Sequence, residues 1–141
     1  MSETINYDTQ ECTRVSQKVH ISLDSIQDVS GGDVEVYGSI NATGTDSANF
    51  FNKSSDTRVS ISSGQEFGNP VADAIVDVIP SPGNSITLQG HLYSHRFLLS
   101  DYDLGNEQVV LPFEAGWRKQ STVTLTGSGY VVKLNFSLEP I

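Results

Sequence analysis

The chain has 141 residues, a size suited to one domain with a core of its own. Its 17 acidic and 8 basic side chains give a formal charge of −9, which argues against nucleic acid as a partner and against simple attraction to anionic lipid. The single cysteine, Cys12, excludes an internal disulfide and a cysteine-rich zinc site.

The first residues are polar, so a loose segment over 1–13 and one folded domain over 14–141 are expected. They hold no charged-then-apolar run, so no signal peptide is expected. The compartment is left open, with a secreted or extracellular location favoured. No apolar run approaches the ~20 residues that span a bilayer as a helix.

Strand patterns then follow one another. RVSQKVHISLDSI alternates, with Val15, Val19, Ile21 and Leu23 on one face and Ser16, Lys18, His20 and Ser22 on the other. VEVYGSINA repeats the pattern through Val34, Val36 and Ile40. TDSANFFNKSS sets Phe50 beside Phe51, one expected in the core and the other outside. TRVSIS, AIVDVI and SITLQ are short and bounded by turn formers. Asn69-Pro70 and the β-branched residues after it favour a turn and a strand over a helix. HLYSHRFLL, QVVLPF, STVTLTG and YVVKLNFSL complete the set, with TGSGY as a hairpin turn. About eight or nine strands with no helical period predict an all-β antiparallel sandwich.

Two acidic stretches break this pattern. LDSIQDVSGGDVEVY carries Asp24, Asp28, Asp33 and Glu35, and SDYDLGNE carries Asp101, Asp103 and Glu107. Together they hold 7 of the 17 acidic residues. Each like pair at roughly 5 Å costs on the order of 3 kcal/mol at an effective dielectric near 20. A bound cation would reverse that sign. Each stretch is read as a loop between strands, and loops of one polarity cluster at one end of a sandwich. On an extended backbone Asp101 and Asp103 point the same way, with Cα atoms about 6.5–7 Å apart. Such a pair can close on a calcium ion with Ca–O distances of roughly 2.3–2.6 Å. Asp28, Asp33, Asp101, Asp103 and Glu107 are therefore the expected calcium ligands, with Asp24, Glu35 and Asn106 as further candidates. Gly31, Gly32 and Gly105 would let the backbone turn and present carbonyls. An EF-hand is excluded, because its fifth and twelfth positions would fall on Gly105 and Pro112.

At these residues the chain resembles the C2 family of calcium-dependent membrane-docking sandwiches. Asp28 and Asp33 match that family's first-loop aspartate pair, one residue closer than is usual. Asp101, Asp103 and Glu107 match its third-loop Asp-x-Asp and later acidic ligand, with Glu107 standing early. The resemblance implies a C2-like sandwich that takes Ca2+ and docks on a membrane or glycan surface through its calcium loops. Tyr102 and Leu104 would then be contacts at the loop tip, with Trp117 a further contact residue. The lysine-rich strand that many C2 domains use for phosphoinositides is missing. GDVEVYGSI also resembles a strand of sandwich domains attached to bacterial pore-forming toxins.

Other chemistry is sparse. His91 and His95 would lie about 13 Å apart on a strand and cannot share an ion. No nucleophile motif occurs, and no enzymatic activity is expected. Tyr37, Tyr93, Tyr102 and Trp117 offer an alternative, a carbohydrate- or protein-binding module of a secreted protein or toxin. A purely structural or assembly sandwich is the third reading.

Overall fold

The computed structural model describes residues 16–68, 70–113 and 117–141. The expected loose segment over 1–13 and Cys12 lie outside them. In chain order the strands are β1 (Gln17–Ser30), β2 (Val34–Thr43), β3 (Ser47–Lys53), β4 (Val59–Ile61), β5 (Glu66–Phe67), β6 (Ala72–Val78), β7 (Ser85–Ser94), β8 (Tyr102–Pro112), β9 (Lys119–Gly127) and β10 (Tyr130–Pro140). Eight of these have seven residues or more, matching the expected number. A 3-10 turn covers Ser55–Thr57.

The strands form two antiparallel sheets. In the first, β10 lies between β1 and β9, while β6 and β5 share the other side of β1. In the second, the order is β3-β2-β7-β8, with β4 beside the start of β2. The inward residues of both sheets make one core, including Ile21 and Leu23 of β1, Ile40 of β2, Leu88 and Leu92 of β7 and Phe136 of β10. This is the period-2 burial that the alternating sequence demands.

Bulges decide where alternation fails. β1 buries Val19, Ile21 and Leu23, then slips its register against β10 between Leu23 and Ser25. Beyond the slip it is Ile26 and Asp28 that face inward. One extra residue has exchanged the faces of the strand, and it carries an aspartate into the interior. A second slip, between Ile40 and Asn41 in the β2–β3 pair, lets Phe50 and Phe51 both be buried. The expectation of one exposed phenylalanine is therefore corrected.

The β7 and β8 boundaries also differ from the expected ones. SITLQ and the start of HLYSHRFLL form the single strand β7, whose alternation ends at Ser94. Residues 95–101 are a loop. The second acidic stretch, expected to be a loop over 101–107, is instead mostly the strand β8. Leu104, expected at a loop tip, is fully buried: it is the extra residue at a register slip in the β7–β8 pair, between Asp103 opposite Tyr93 and Gly105 opposite Leu92. Trp117, expected as a ligand contact, is also fully buried and packs edge-on against Phe113 at 5.9 Å between centroids.

At each side of the sandwich the edges of the two sheets abut. On one side a Cβ on Gly105 of β8 would stand 2.9 Å from the Thr126 nitrogen, and one on Gly127 would stand 2.4 Å from the Asp103 carbonyl oxygen. Glycine is needed in this pair so that the two backbones can close on each other. Gly105 thus serves the β8–β9 closure and not the presentation of carbonyls to an ion. On the other side the Thr45 N–H donates to the Asp77 carbonyl at 2.7 Å, and the Asp77 N–H donates to the Asp46 carboxylate at 2.8 Å.

Burial of Leu104 carries a direct consequence. Leu104→Ala should lower stability by about 2–5 kcal/mol through the lost transfer energy and the cavity left behind. For a domain of this size that is a fall in Tm of roughly 5–15 °C in a circular-dichroism melt.

Candidate functional site

The β1–β2 turn (31–33), the turn before β5 (62–65), the β7–β8 loop (95–101) and the β9–β10 turn (128–129) all emerge at one end of the sandwich. Backbone bonds tie them together. The Asp28 N–H donates to Gln65 O at 2.9 Å, the Gly64 N–H to Asp28 O at 3.0 Å, and the His95 N–H to Glu35 O at 2.9 Å. Gly31 packs on Tyr130, whose ring lies 5.4 Å from that of Tyr102. The two acidic stretches therefore do reach the same end, as the sequence predicts. Their carboxylates do not converge there.

Asp101 faces the second sheet. It accepts hydrogen bonds from the Tyr37 hydroxyl and from the Arg96 N–H at 3.1 Å. His95 Nδ1 stands 3.3 Å away, without the alignment of a hydrogen bond. The Tyr37 bond, the Arg96 amide and the His95 ring hold the Asp101 carboxyl below its ordinary range against the opposing effect of burial. The same bond, with burial and the negative charge of Asp101, pushes the Tyr37 phenol up to about 12. Asp103 accepts the Gly105 N–H at 2.9 Å and lies 3.1 Å from His91 Nε2, and both contacts lower its carboxyl. A register slip in the β7–β8 pair falls between Leu92 and Tyr93, beside these residues. The repulsion expected between Asp101 and Asp103 is met by separate hydrogen-bond partners and needs no cation.

The remaining expected ligands are dispersed. Asp33 is exposed and accepts the Ser63 N–H at 2.7 Å. Asp24 accepts from the hydroxyls of Ser22 at 2.8 Å and Ser137 at 3.0 Å. Glu35 holds Ser60 at 2.7 Å and stands 3.4 Å from Arg58. Asn106 accepts from Gln89 at 3.2 Å, and Glu107 is exposed in β8 opposite Gly90. Among the described residues no three His, Cys, Asp or Glu side chains are grouped to hold a metal ion. The expected set does not fit one shared calcium ion. Asp28 is the exception in character: it is 0% exposed, and neither carboxylate oxygen has a hydrogen-bond partner. Burial, and then the charge of Asp33, raise its pKa.

The feature that sequence reasoning missed lies in the β7–β8 loop. Phe97, Leu98 and Leu99 are 82%, 85% and 64% exposed. Leu98 adopts φ +63°, a left-handed conformation that costs a bulky residue of order 1–3 kcal/mol. Asp101 fixes the base of the loop, and Arg96 braces it. The Arg96 Nε donates to Ser100 O at 2.6 Å, Nη1 to the Tyr102 hydroxyl at 3.2 Å, and the guanidinium lies 4.0 Å over the Tyr102 ring. Tyr102, expected as a tip contact, is half-buried between Arg96 and Tyr130. The signal that could have revealed the tip is local: three apolar residues in a row do not alternate.

No protein-family model and no curated protein matches this chain. Among solved structures, a chain of the Cry23Aa1 and Cry37Aa1 binary protein complex matches 90% of this chain and 100% of its own length, at 18% identity and a TM-score of 0.52. A C2 domain of plant Extended Synaptotagmin 1 matches 89% of this chain and 95% of its own length, at 15% identity and a TM-score of 0.46. The fold is an antiparallel β-sandwich of two sheets. At these identities the likeness extends to the fold alone.

Two substitutions at this end should act with opposite signs. Asp101→Asn keeps the shape and removes the charge that Tyr37, His95 and Arg96 converge on, so it should lower Tm by a few degrees at neutral pH. A depressed carboxyl stabilises above its unfolded pKa, so this difference should fade as pH falls below the ordinary carboxylate range. Asp28→Asn should raise stability at neutral pH, on the order of 1 kcal/mol. A raised carboxyl binds more protons in the folded state, so the Asp28 penalty grows as pH rises above 3.8. The gain should vanish at lower pH, and paired melts across pH 3 to 8 check both signs.

Proposed function

We propose that this chain is a non-enzymatic attachment module that docks on a membrane surface through its 95–101 loop. The observation that carries this reading is the run of Phe97, Leu98 and Leu99, exposed together at one tip. Scattered apolar residues are normal on a surface, whereas a contiguous group on a braced loop marks a contact site. Val29, at the tail of β1, is 39% exposed at the same end of the sandwich.

Withdrawing the three side chains from water would contribute roughly 5–8 kcal/mol. Micromolar affinity needs about 8 kcal/mol, and ordering the partners has its own cost. The attachment is therefore reversible and is strengthened by a second contact, as for single lipid anchors. The charge of −9 gives no attraction to anionic headgroups, so zwitterionic bilayers are the expected surface.

A calcium-dependent form of the same attachment has one observation in its favour, the buried and unpartnered Asp28 carboxylate beside Asp33. In that form these two residues, with backbone carbonyls, would hold the ion without help from Asp101 or Asp103. Calcium would supply positive charge at the docking end.

Co-sedimentation with phosphatidylcholine vesicles separates the readings. The wild type should pellet with vesicles, and Phe97→Ser, Leu98→Ser, Leu99→Ser together should abolish this without lowering Tm. Calcium and chelator should make no difference. A triple variant that pellets like the wild type would refute docking by this loop. Binding that rises with calcium, in a manner lost in Asp28→Asn, would instead establish the calcium-dependent form.

A further inference from the structure

A shallow cavity of about 530 Å³ lies on the outer face of the second sheet, beside the loop end. Its first wall is aromatic. Tyr37 of β2 and Tyr93 of β7 are register partners, with ring centroids 5.2 Å apart and planes 20° apart. The His91 ring lies 4.6 Å from that of Tyr93. The second wall is polar, made by Asn52 and Lys53 at the end of β3 and by the serines that follow. Gly38 and Ser39 lie between the walls. A Cβ on Gly38, at φ +127°, would fall 2.2 Å from the His91 carbonyl oxygen, so only glycine fits where the two strands meet there.

The aromatic wall is fixed in advance. Tyr37 donates its hydroxyl to Asp101, and His91 is held against Asp103 at 3.1 Å. A wall already ordered loses little freedom when a ligand arrives. The opposite wall offers hydrogen bonds of both kinds: Asn52 can donate and accept, Lys53 donates, and the hydroxyls do either. Fixed rings facing adaptable polar groups match a molecule with an apolar face and a rim of hydroxyls. The charge selects further. Lys53 is the one lysine among the lining residues, Tyr37 and His91 of the other wall each contact a carboxylate, and the chain has a net charge of −9. Sulfated and sialylated sugars are disfavoured by that balance.

We propose that this cavity is a carbohydrate site for a neutral pyranose. It rests on different residues from those of the apolar tip, and neither contact requires the other.

The test is a nitrogen-15 chemical-shift titration of the full chain with the methyl pyranosides of glucose, galactose, mannose and N-acetylglucosamine. A sulfated oligosaccharide and a short tyrosine-containing peptide serve as rival ligands. At least one neutral sugar should give saturable shifts confined to residues 37–39, 52–55 and 91–93, with a Kd of about 1 mM. Tyr93→Ala and Asn52→Ala should each weaken it about tenfold or more. The triple serine variant of the 97–99 tip should bind the sugar unchanged, so failure of the sugar site and failure of membrane docking are read separately. If Tyr93→Ala does not fold, the exposed Asn52→Ala decides. Absence of saturable shifts with every neutral sugar would overturn the proposal. So would shifts at other residues, stronger binding of the sulfated sugar or the peptide, or binding indifferent to Asn52→Ala.

Discussion

The carboxylate of Asp101 is the joint on which the loop end depends. It takes a hydroxyl from β2, an amide from the β7–β8 loop and the approach of a histidine at the root of that loop. Charge-assisted bonds of this kind are shorter and stronger than neutral ones. They oppose the strain at Leu98 and hold the apolar tip away from the core. The same carboxylate anchors Tyr37, and through the stacked pair it steadies Tyr93. Two surfaces of different chemistry thus share one support.

Asp28 presents the opposite case, a carboxylate with no support at all. Its burial follows from the slip after Leu23 in β1, which reverses the inward face of the strand shortly before the sandwich ends. A fold that keeps its local rules elsewhere and breaks one here concentrates its tension where the loops gather. At the same end Asp33 accepts from Ser63 and Glu35 from Ser60 beside Arg58, whereas His95 Nδ1 is buried without a hydrogen bond.

Much of the architecture is legible in residue order. Alternation from Val19 to Leu23 and from Tyr130 to Leu138 specifies strands, faces and fold class, because the period of a strand is a local property. Bulges are not. The slip after Leu23 decides that Asp28 is inside, and the slip after Ile40 decides that Phe50 and Phe51 share a side. Both depend on a partner strand that the local pattern does not reveal. The acidic stretches are legible as an unusual concentration at one end, and spacing alone points to a shared ion. What spacing does not show is that Tyr37, 64 residues away from Asp101, supplies its partner. The tip at 97–99 reads as strand because apolar residues ordinarily signal burial, and the missing alternation carries less weight than their hydrophobicity.

The abutting sheet edges have a consequence for the molecule in a crowd. A free edge strand is a template onto which another chain can add its own backbone. Here β8 lies against β9 and β3 against β6, and carboxylates stand along these margins at Asp73, Asp77, Asp103 and Glu107. A second copy arriving sideways meets a closed border and not an open ladder. Copies brought close together can therefore lie side by side while each sandwich keeps its own hydrogen bonds.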